Sequence, residues 1–229
     1  MIISGLLLSG ADYLIDADGD RQAGLYFSKY ESSIHAEYGL TSRWTVVLQL
    51  AVQQISQDNN GAADTASGLS ASRIGLQARV WQHDRWVVSV QGSAVIPGGG
   101  ENVADRPLGD GANGVEIRAL AGRSISNAGF ADIQYGYTLR SDDYPSEQRL
   151  DLTAGWRLAD RYSVMLQSFN TISGADRQRN NRSFSQHKLQ LSAGIRIRNG
   201  ELVVGAFTTI HGRNSIDESG WTVSWWRRF

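Results

Sequence analysis

The sequence predicts a transmembrane antiparallel up-and-down β-barrel of about twelve strands, and three observations predict it. Twelve stretches of roughly ten residues alternate apolar and polar side chains. The connections between them run short, long, short, long, and the last stretch ends on an aromatic face of Trp221, Val223, Trp225 and Phe229. In the clearest stretch, His187 to Arg198, residues Leu189, Leu191, Ala193, Ile195 and Ile197 share one face. Lys188, Gln190, Ser192, Arg196 and Arg198 share the other. A strand with charge on one side and hydrocarbon on the other separates water from an oily medium.

In chain order the expected strands are Ile2 to Leu14, Ser28 to Tyr38, Trp44 to Gln53, Ser70 to Trp81, Trp86 to Ile96 and Gly114 to Arg123. Gly129 to Leu139, Gln148 to Arg157, Tyr162 to Ile172, His187 to Arg198, Leu202 to Ile210 and Gly220 to Phe229 follow. Tight turns fall at Leu40 to Arg43, His83 to Arg85, Ser124 to Ala128, Leu158 to Arg161 and Asn199 with Gly200, as hairpins on the periplasmic side would. The longer connections are Ile15 to Phe27, Gln54 to Leu69, Pro97 to Asn113, Arg140 to Glu147, Ser173 to Gln186 and His211 to Ser219. They are rich in Gly, Asn, Asp and Ser and are expected on the extracellular side. An even strand number puts both ends of this domain, residues 1–229, on the short-turn side. An alternative reading of Ile2 to Ala11 is the remnant of an apolar signal core, but it is short, is broken by Ser4 and Gly5, and sits where a first strand is needed.

This register lists the lipid face strand by strand. Trp44, Val46, Leu48, Leu50 and Val52 are expected outside, as are Ile74, Leu76, Ala78 and Val80, and Leu150, Leu152, Ala154 and Trp156. None carries a charge, and an Arg or Lys near the midplane would cost about 2–4 kcal/mol. Tyr38, Trp44, Trp86, Trp156, Tyr162 and Trp225 gather beside the short turns, where an amphipathic ring belongs at headgroup level. The first strand and Leu202 to Ile210 alternate too poorly to assign faces. A soluble barrel of the lipocalin kind would invert inside and outside, and alternation alone does not distinguish the two. The strand number and the aromatic end favour the membrane, although Arg227 stands where an apolar residue is usual in such an end.

Composition narrows function without naming it. The charge balance of 22 basic and 23 acidic residues gives no sign of a nucleic-acid partner, and the absence of cysteine excludes disulfides and Cys-based metal or nucleophile sites. The long connections hold 14 of the acidic and 7 of the basic residues. Such acidic loops suit divalent cations that bridge lipopolysaccharide phosphates, or steer cationic solutes, although a merely solvated surface explains them as well.

Local strings resemble the outer membrane protein family named for the meta-pathway of phenol degradation. They are Asp16-Ala17-Asp18-Gly19-Asp20-Arg21, Tyr38-Gly39-Leu40-Thr41, Ile96-Pro97-Gly98, and Gly129-Phe130-Ala131-Asp132 with Tyr135-Gly136-Tyr137. The resemblance implies a small barrel that passes small organic molecules.

The inward face expected from the alternation carries Glu31, Glu37, Arg73, Arg79, Glu116, Arg118, Asp132, Arg149, Asp151, Arg157, Lys188 and Arg196, with Arg228 beyond them. Interleaved signs on neighbouring strands point to cross-strand ion pairs. They read either as a polar path favouring anionic or neutral solutes, or as side chains that fill and brace a small lumen. Asp16, Asp18 and Asp20 open like a calcium loop, but Phe27 occupies the twelfth position, so an acidic turn is the simpler reading. Ser185 and His187 share an outward face at the extracellular membrane edge, as a lipid hydrolase would require, with no orienting Asn or Asp identifiable in the sequence. His35, flanked by Ser33 and Glu37, belongs to the polar lining; His83 falls in a short turn and His211 in a long loop.

The sequence therefore reads as a non-enzymatic channel of the bacterial outer membrane, for passive diffusion of small solutes, narrowed by the Pro97 to Asn113 loop. A non-conducting structural or assembly barrel is the alternative, with a lipid hydrolase third. Expected partners are outer membrane lipid and lipopolysaccharide, small-molecule solutes, and the barrel assembly machinery through Phe229; no cofactor or metal is implied.

Overall fold

The computed structural model describes residues 1–59, 62–98, 112–141, 144–175 and 183–229. The strands are β1 (Ile2–Ile15), β2 (Arg21–Gly39), β3 (Trp44–Asn59), β4 (Ala62–Leu69), β5 (Ser72–His83), β6 (Trp86–Ile96) and β7 (Gly114–Ser124). They continue as β8 (Gly129–Arg140), β9 (Glu147–Leu158), β10 (Tyr162–Ser173), β11 (Phe184–Ile197), β12 (Gly200–Arg213), β13 (Ser215–Ile216) and β14 (Ser219–Arg227). Every pairing is antiparallel, successive staves pair in chain order, and β1 closes the ring by pairing with β2 on one side and with β13 and β14 on the other. β4 and β5 form one stave interrupted at Ser70 and Ala71, and β13 and β14 form another, so the barrel has twelve staves. The segment Ile2 to Ala11 is a fully paired strand.

The outward face is apolar as the alternation predicts. Leu50, Val52, Ile74, Leu76, Val80, Leu152 and Trp156 are exposed on it, and Leu191 is 60% exposed in the middle of β11. No internal packing explains an exposed band of this kind, which requires a hydrocarbon solvent. Ala78 lies on the same face but is sheltered, opposite Trp44 in the register. Two girdle aromatics lie over glycines of adjacent strands. A Cβ on Gly129 would approach the Trp156 ring to 2.9 Å, and one on Gly200 would approach the Trp225 ring to 2.2 Å. These glycines let the large rings lie flat against the wall, which pins register at the short-turn end.

The faces that alternation left open are settled. On β1, Ile2, Leu6 and Leu8 are exposed on the outside while Ile3, Gly5, Leu7 and Ser9 face inward. On β12, Val204 is exposed outside while Val203, Phe207 and Thr209 are buried inside. These strands alternate poorly because the inner wall beside them is itself apolar. At the long-loop end it continues into a cluster of Ala11, Leu25 and Phe27, packed by Leu14, Ile55 and Ile216.

Several strands run further than expected, by one or two residues at the short turns and by the most on the long-loop side. β2 begins at Arg21 rather than Ser28, β12 reaches Arg213, and most of the Gln54 to Leu69 connection is the hairpin of β3 with β4. Above the membrane the outer face meets water while Leu25, Phe27 and Gln57 are buried inside, so the apolar-out, polar-in alternation no longer marks the strand. Tight turns place Asp84, Ala159, Arg198 and Asn214 at positive φ, between 47° and 61°. Residues 99–111 of the Pro97 to Asn113 loop, expected to narrow the channel, lie outside the described residues.

Candidate functional site: the inner wall

Alternation along β5 to β9 brings four basic and four acidic side chains onto one continuous inner surface. Arg118 on β7 is the hub. Its Nε donates to Glu116 Oε1 at 3.1 Å and its Nη2 to Glu116 Oε2 at 3.3 Å. Its Nη1 donates to Gln134 Oε1 and Asp151 Oδ2, both at 3.0 Å. Gly136, directly opposite Arg118 on β8, leaves room for the guanidinium to lie along the wall, since a Cβ there would touch it at 3.4 Å. Glu116 is 1% exposed; it also accepts from Thr138 Oγ1 at 3.4 Å and lies 3.9 Å from Arg73 Nε. Towards the long loops, Glu147 accepts from Arg140 at 2.7 Å and Arg149 at 2.5 Å. Towards the short turns, Gln134 donates to Asp132 at 2.8 Å. The wall is close to neutral because each cation lies beside a carboxylate.

A second cluster forms where β14, β1, β2 and β11 meet. Glu218, just before β14, faces inward with the parity of Thr222 and Ser224. Its carboxylate accepts from Ser9 Oγ at 2.5 Å, lies 3.3 Å from Lys29 Nζ, and is hydrogen-bonded by Lys188. Thr209 ties the Glu218 backbone down, accepting from its N–H at 3.1 Å and donating to its carbonyl at 2.9 Å. Lys188 Nζ also lies 5.3 Å from the centre of the Phe207 ring. This side of the wall therefore sets two ammonium groups around Glu218, with Glu31 inward on the same strand as Lys29, next to an aromatic face.

The residues expected on the inner face fall into distinct places. Arg73, Glu116, Arg118, Asp132, Arg149 and Asp151 share the β5–β9 surface, and Lys188 belongs to the second cluster. Glu31 faces inward from β2, and Glu37 pairs with His35 at 3.1 Å. Arg79 reaches the Ser42 carbonyl at the first short turn, at 2.5 Å. Arg157 and Arg196 are exposed at the short-turn end of the inner face. Arg228 lies beyond the last residue of β14, exposed, and is not part of the wall. Alternation missed Lys29, Arg140, Glu147 and Glu218. All four continue the inward parity of their strands and lay at or outside the expected strand ends, Glu218 two residues before the expected start at Gly220.

The acidic turn after β1 is structural. Asp16 Oδ1 accepts the N–H groups of Asp18, Gly19 and Asp20, and Oδ2 accepts from Gln22 at 2.8 Å. The Gln22 bond, with these backbone bonds behind it, holds the Asp16 carboxyl below its ordinary range. Gly19 supplies the positive φ of 95° that the turn needs. No cluster of metal-binding side chains occurs among the described residues.

No protein-family model matches the chain, and no curated protein matches it in sequence. Solved structures match the fold. An outer membrane channel from Pseudomonas putida F1 aligns with a TM-score of 0.78 at 13% identity, covering 100% of this chain and 95% of that one. The NanC porin aligns at 0.62 with 10% identity, covering 100% and 99%. The translocator domain of the autotransporter NalP from Neisseria meningitidis aligns at 0.61 with 11% identity, covering 99% and 88%. The fold is that of the bacterial outer membrane β-barrels.

Proposed function

We propose that this barrel is an outer membrane channel through which small solutes diffuse passively along the charged inner wall. One observation carries the reading. Among the described residues, the ion pairs and hydrogen bonds on the inner face stay within one stave or reach no further than the second stave along the wall, and none crosses from the β5–β9 wall to the cluster around Glu218. Charges that pair along the wall rather than across it are what a permeation path needs. Glu31, Arg73, Glu116, Arg118, Asp132, Arg149, Asp151 and Lys188 would line its middle and outer parts, with Glu37, Arg79, Arg157 and Arg196 around the periplasmic mouth. The likeness to channels and porins in fold supports the reading.

The finer part concerns the solute. Lys29 and Lys188 beside Phe207 and the apolar inner face of β1 suit a small organic anion with an apolar or aromatic body, as does the resemblance to the phenol meta-pathway family. The outer band and its aromatic girdle would seat the barrel in outer membrane lipid, with acidic turns facing lipopolysaccharide. Phe229, 75% exposed at the end of the terminal strand, would serve recognition by the assembly machinery. Swelling of protein-loaded vesicles in a size series of sugars and aromatic carboxylates tests the path. Uptake with a size limit and a preference for the carboxylates supports it. No uptake by folded protein would leave a structural or anchoring barrel.

A further inference from the structure

We propose that the outer wall carries a second, separate site, in which Ser185, His187 and Asn170 hydrolyse an acyl ester of a membrane lipid. Asn170 on β10 stands directly opposite His187 on β11, and its Oδ1 lies 2.8 Å from His187 Nδ1. The same amide donates through Nδ2 to the Leu150 carbonyl at 2.8 Å and to Ser168 Oγ at 3.0 Å. A backbone carbonyl only accepts, so the Leu150 contact fixes which end of the amide faces the histidine. His187 Nδ1 must then carry the proton and donate it to Asn170, leaving Nε2 as an unprotonated base. The His211 ring stacks on His187 from the adjacent strand, 5.7 Å between centres, and further restrains the imidazole.

Ser185 lies two residues from His187 on the same outward face, about 6.7 Å away along the strand, a spacing that side-chain rotation bridges. Its hydroxyl makes no hydrogen bond to His187 in this conformation. Such contacts commonly tighten only once substrate is bound. Arg213 is directly across from Ser185 in the register, so its cation is within reach of an oxyanion formed there.

The place fits a lipid. Below His187 the outward face of β11 is apolar from Leu189 to Ile197, about 20 Å along the membrane normal for a strand of ordinary tilt. His187 therefore sits where acyl chains meet headgroups on the long-loop side. A shallow apolar groove of about 550 Å³ crosses the outer wall past Ala121, Ile133, Leu152 and Leu166. It ends at Ser168 and Leu189, the next outward positions below Asn170 and His187.

In the reaction, Ser185 Oγ attacks the ester carbonyl carbon as its proton passes to His187 Nε2. The carbon–oxygen bond to the alcohol breaks, and that oxygen takes the proton from Nε2. Water, held at the interface, then attacks the acyl-serine and loses its proton to Nε2. The carbon–Oγ bond breaks, Ser185 recovers the proton, and the net change is ester plus water to acid plus alcohol.

The test uses the folded protein in mixed micelles of detergent and a short-chain phosphatidylcholine. Release of fatty acid that is lost in Ser185→Ala and His187→Ala, together with an alkylphosphonate adduct mapped to Ser185, supports the site. Asn170→Ala is expected to lower kcat about 10-fold or more at nearly unchanged KM, as loss of an orienting partner does. Vesicle swelling should be unchanged in all three variants, which separates this site from the channel. Absence of both the adduct and the release from wild-type barrel would overturn the proposal, as would release that persists in Ser185→Ala.

Discussion

Replacing Arg118 with Met should destabilise the barrel by about 3–5 kcal/mol, the usual cost of removing one partner from a buried ion pair. The magnitude follows from what is left behind. Arg118 provides four of the hydrogen bonds on the β5–β9 wall. Without it Glu116, at 1% exposure, keeps only the long Thr138 contact at 3.4 Å and Arg73 at 3.9 Å. Asp151 also loses its guanidinium neighbour. The assay is urea unfolding of the protein in phospholipid vesicles, followed by fluorescence of its 7 tryptophans. Adding Glu116→Gln to Arg118→Met removes the stranded charge and should recover about half of the loss or more, so the two substitutions are strongly non-additive. If Arg118→Met alone stayed within about 0.5 kcal/mol of wild type, as substitutions at solvated surfaces do, Glu116 would be well hydrated and the wall would owe nothing to the pairing.

Leu191→Arg, near the middle of the outer band, should cost about 2–4 kcal/mol in the same unfolding assay, while Gln190→Arg on the inner face should cost clearly less; equal effects would contradict the assignment of faces. Gly200→Ala should destabilise by about 1–3 kcal/mol, because its Cβ would enter the Trp225 ring at 2.2 Å. Lys188→Glu should shift ion selectivity towards cations in bilayer recordings, by reversing one charge beside Glu218. The Asp16 turn should remain protected from hydrogen exchange at pH 3.8, the ordinary carboxyl value, and loosen only as pH falls through its lower folded value. The sign follows because a carboxyl with a depressed folded pKa stabilises the turn above its unfolded value and ceases to below the folded one.

The membrane-spanning half of this structure is legible in the sequence and the outer half is not, for a physical reason. Where one face meets lipid and the other a wet lumen, parity places each side chain, as on β3, β5, β9 and β11. Above the lipid, β2 and β3 continue with polar residues such as Gln54 exposed outside and both apolar and polar residues, Leu25, Phe27 and Gln57, buried inside, so the apolar face is no longer the outer one and alternation misleads. Along β1 and β12 the lumen is lined by Leu7, Val203 and Phe207, so both faces are apolar and parity is again blind. Within the site, charge and parity identify Arg118, Glu116, Asp151 and Lys188. They do not reveal that Glu218 completes the Lys29 and Lys188 cluster, because it lies before the expected start of the terminal strand, among loop residues. Nor does sequence spacing reveal that Asn170 is opposite His187, which depends on the register of two strands joined by a long connection.

Single-channel recording in a planar bilayer, with reversal potentials measured in a salt gradient, tests the central claim most directly. A lumen lined by charges that pair along its wall predicts discrete open levels with a mild preference for anions, reduced or reversed in Lys188→Glu. A silent bilayer from protein shown to be folded by its heat-dependent mobility would contradict the open path and leave the inner wall as bracing alone.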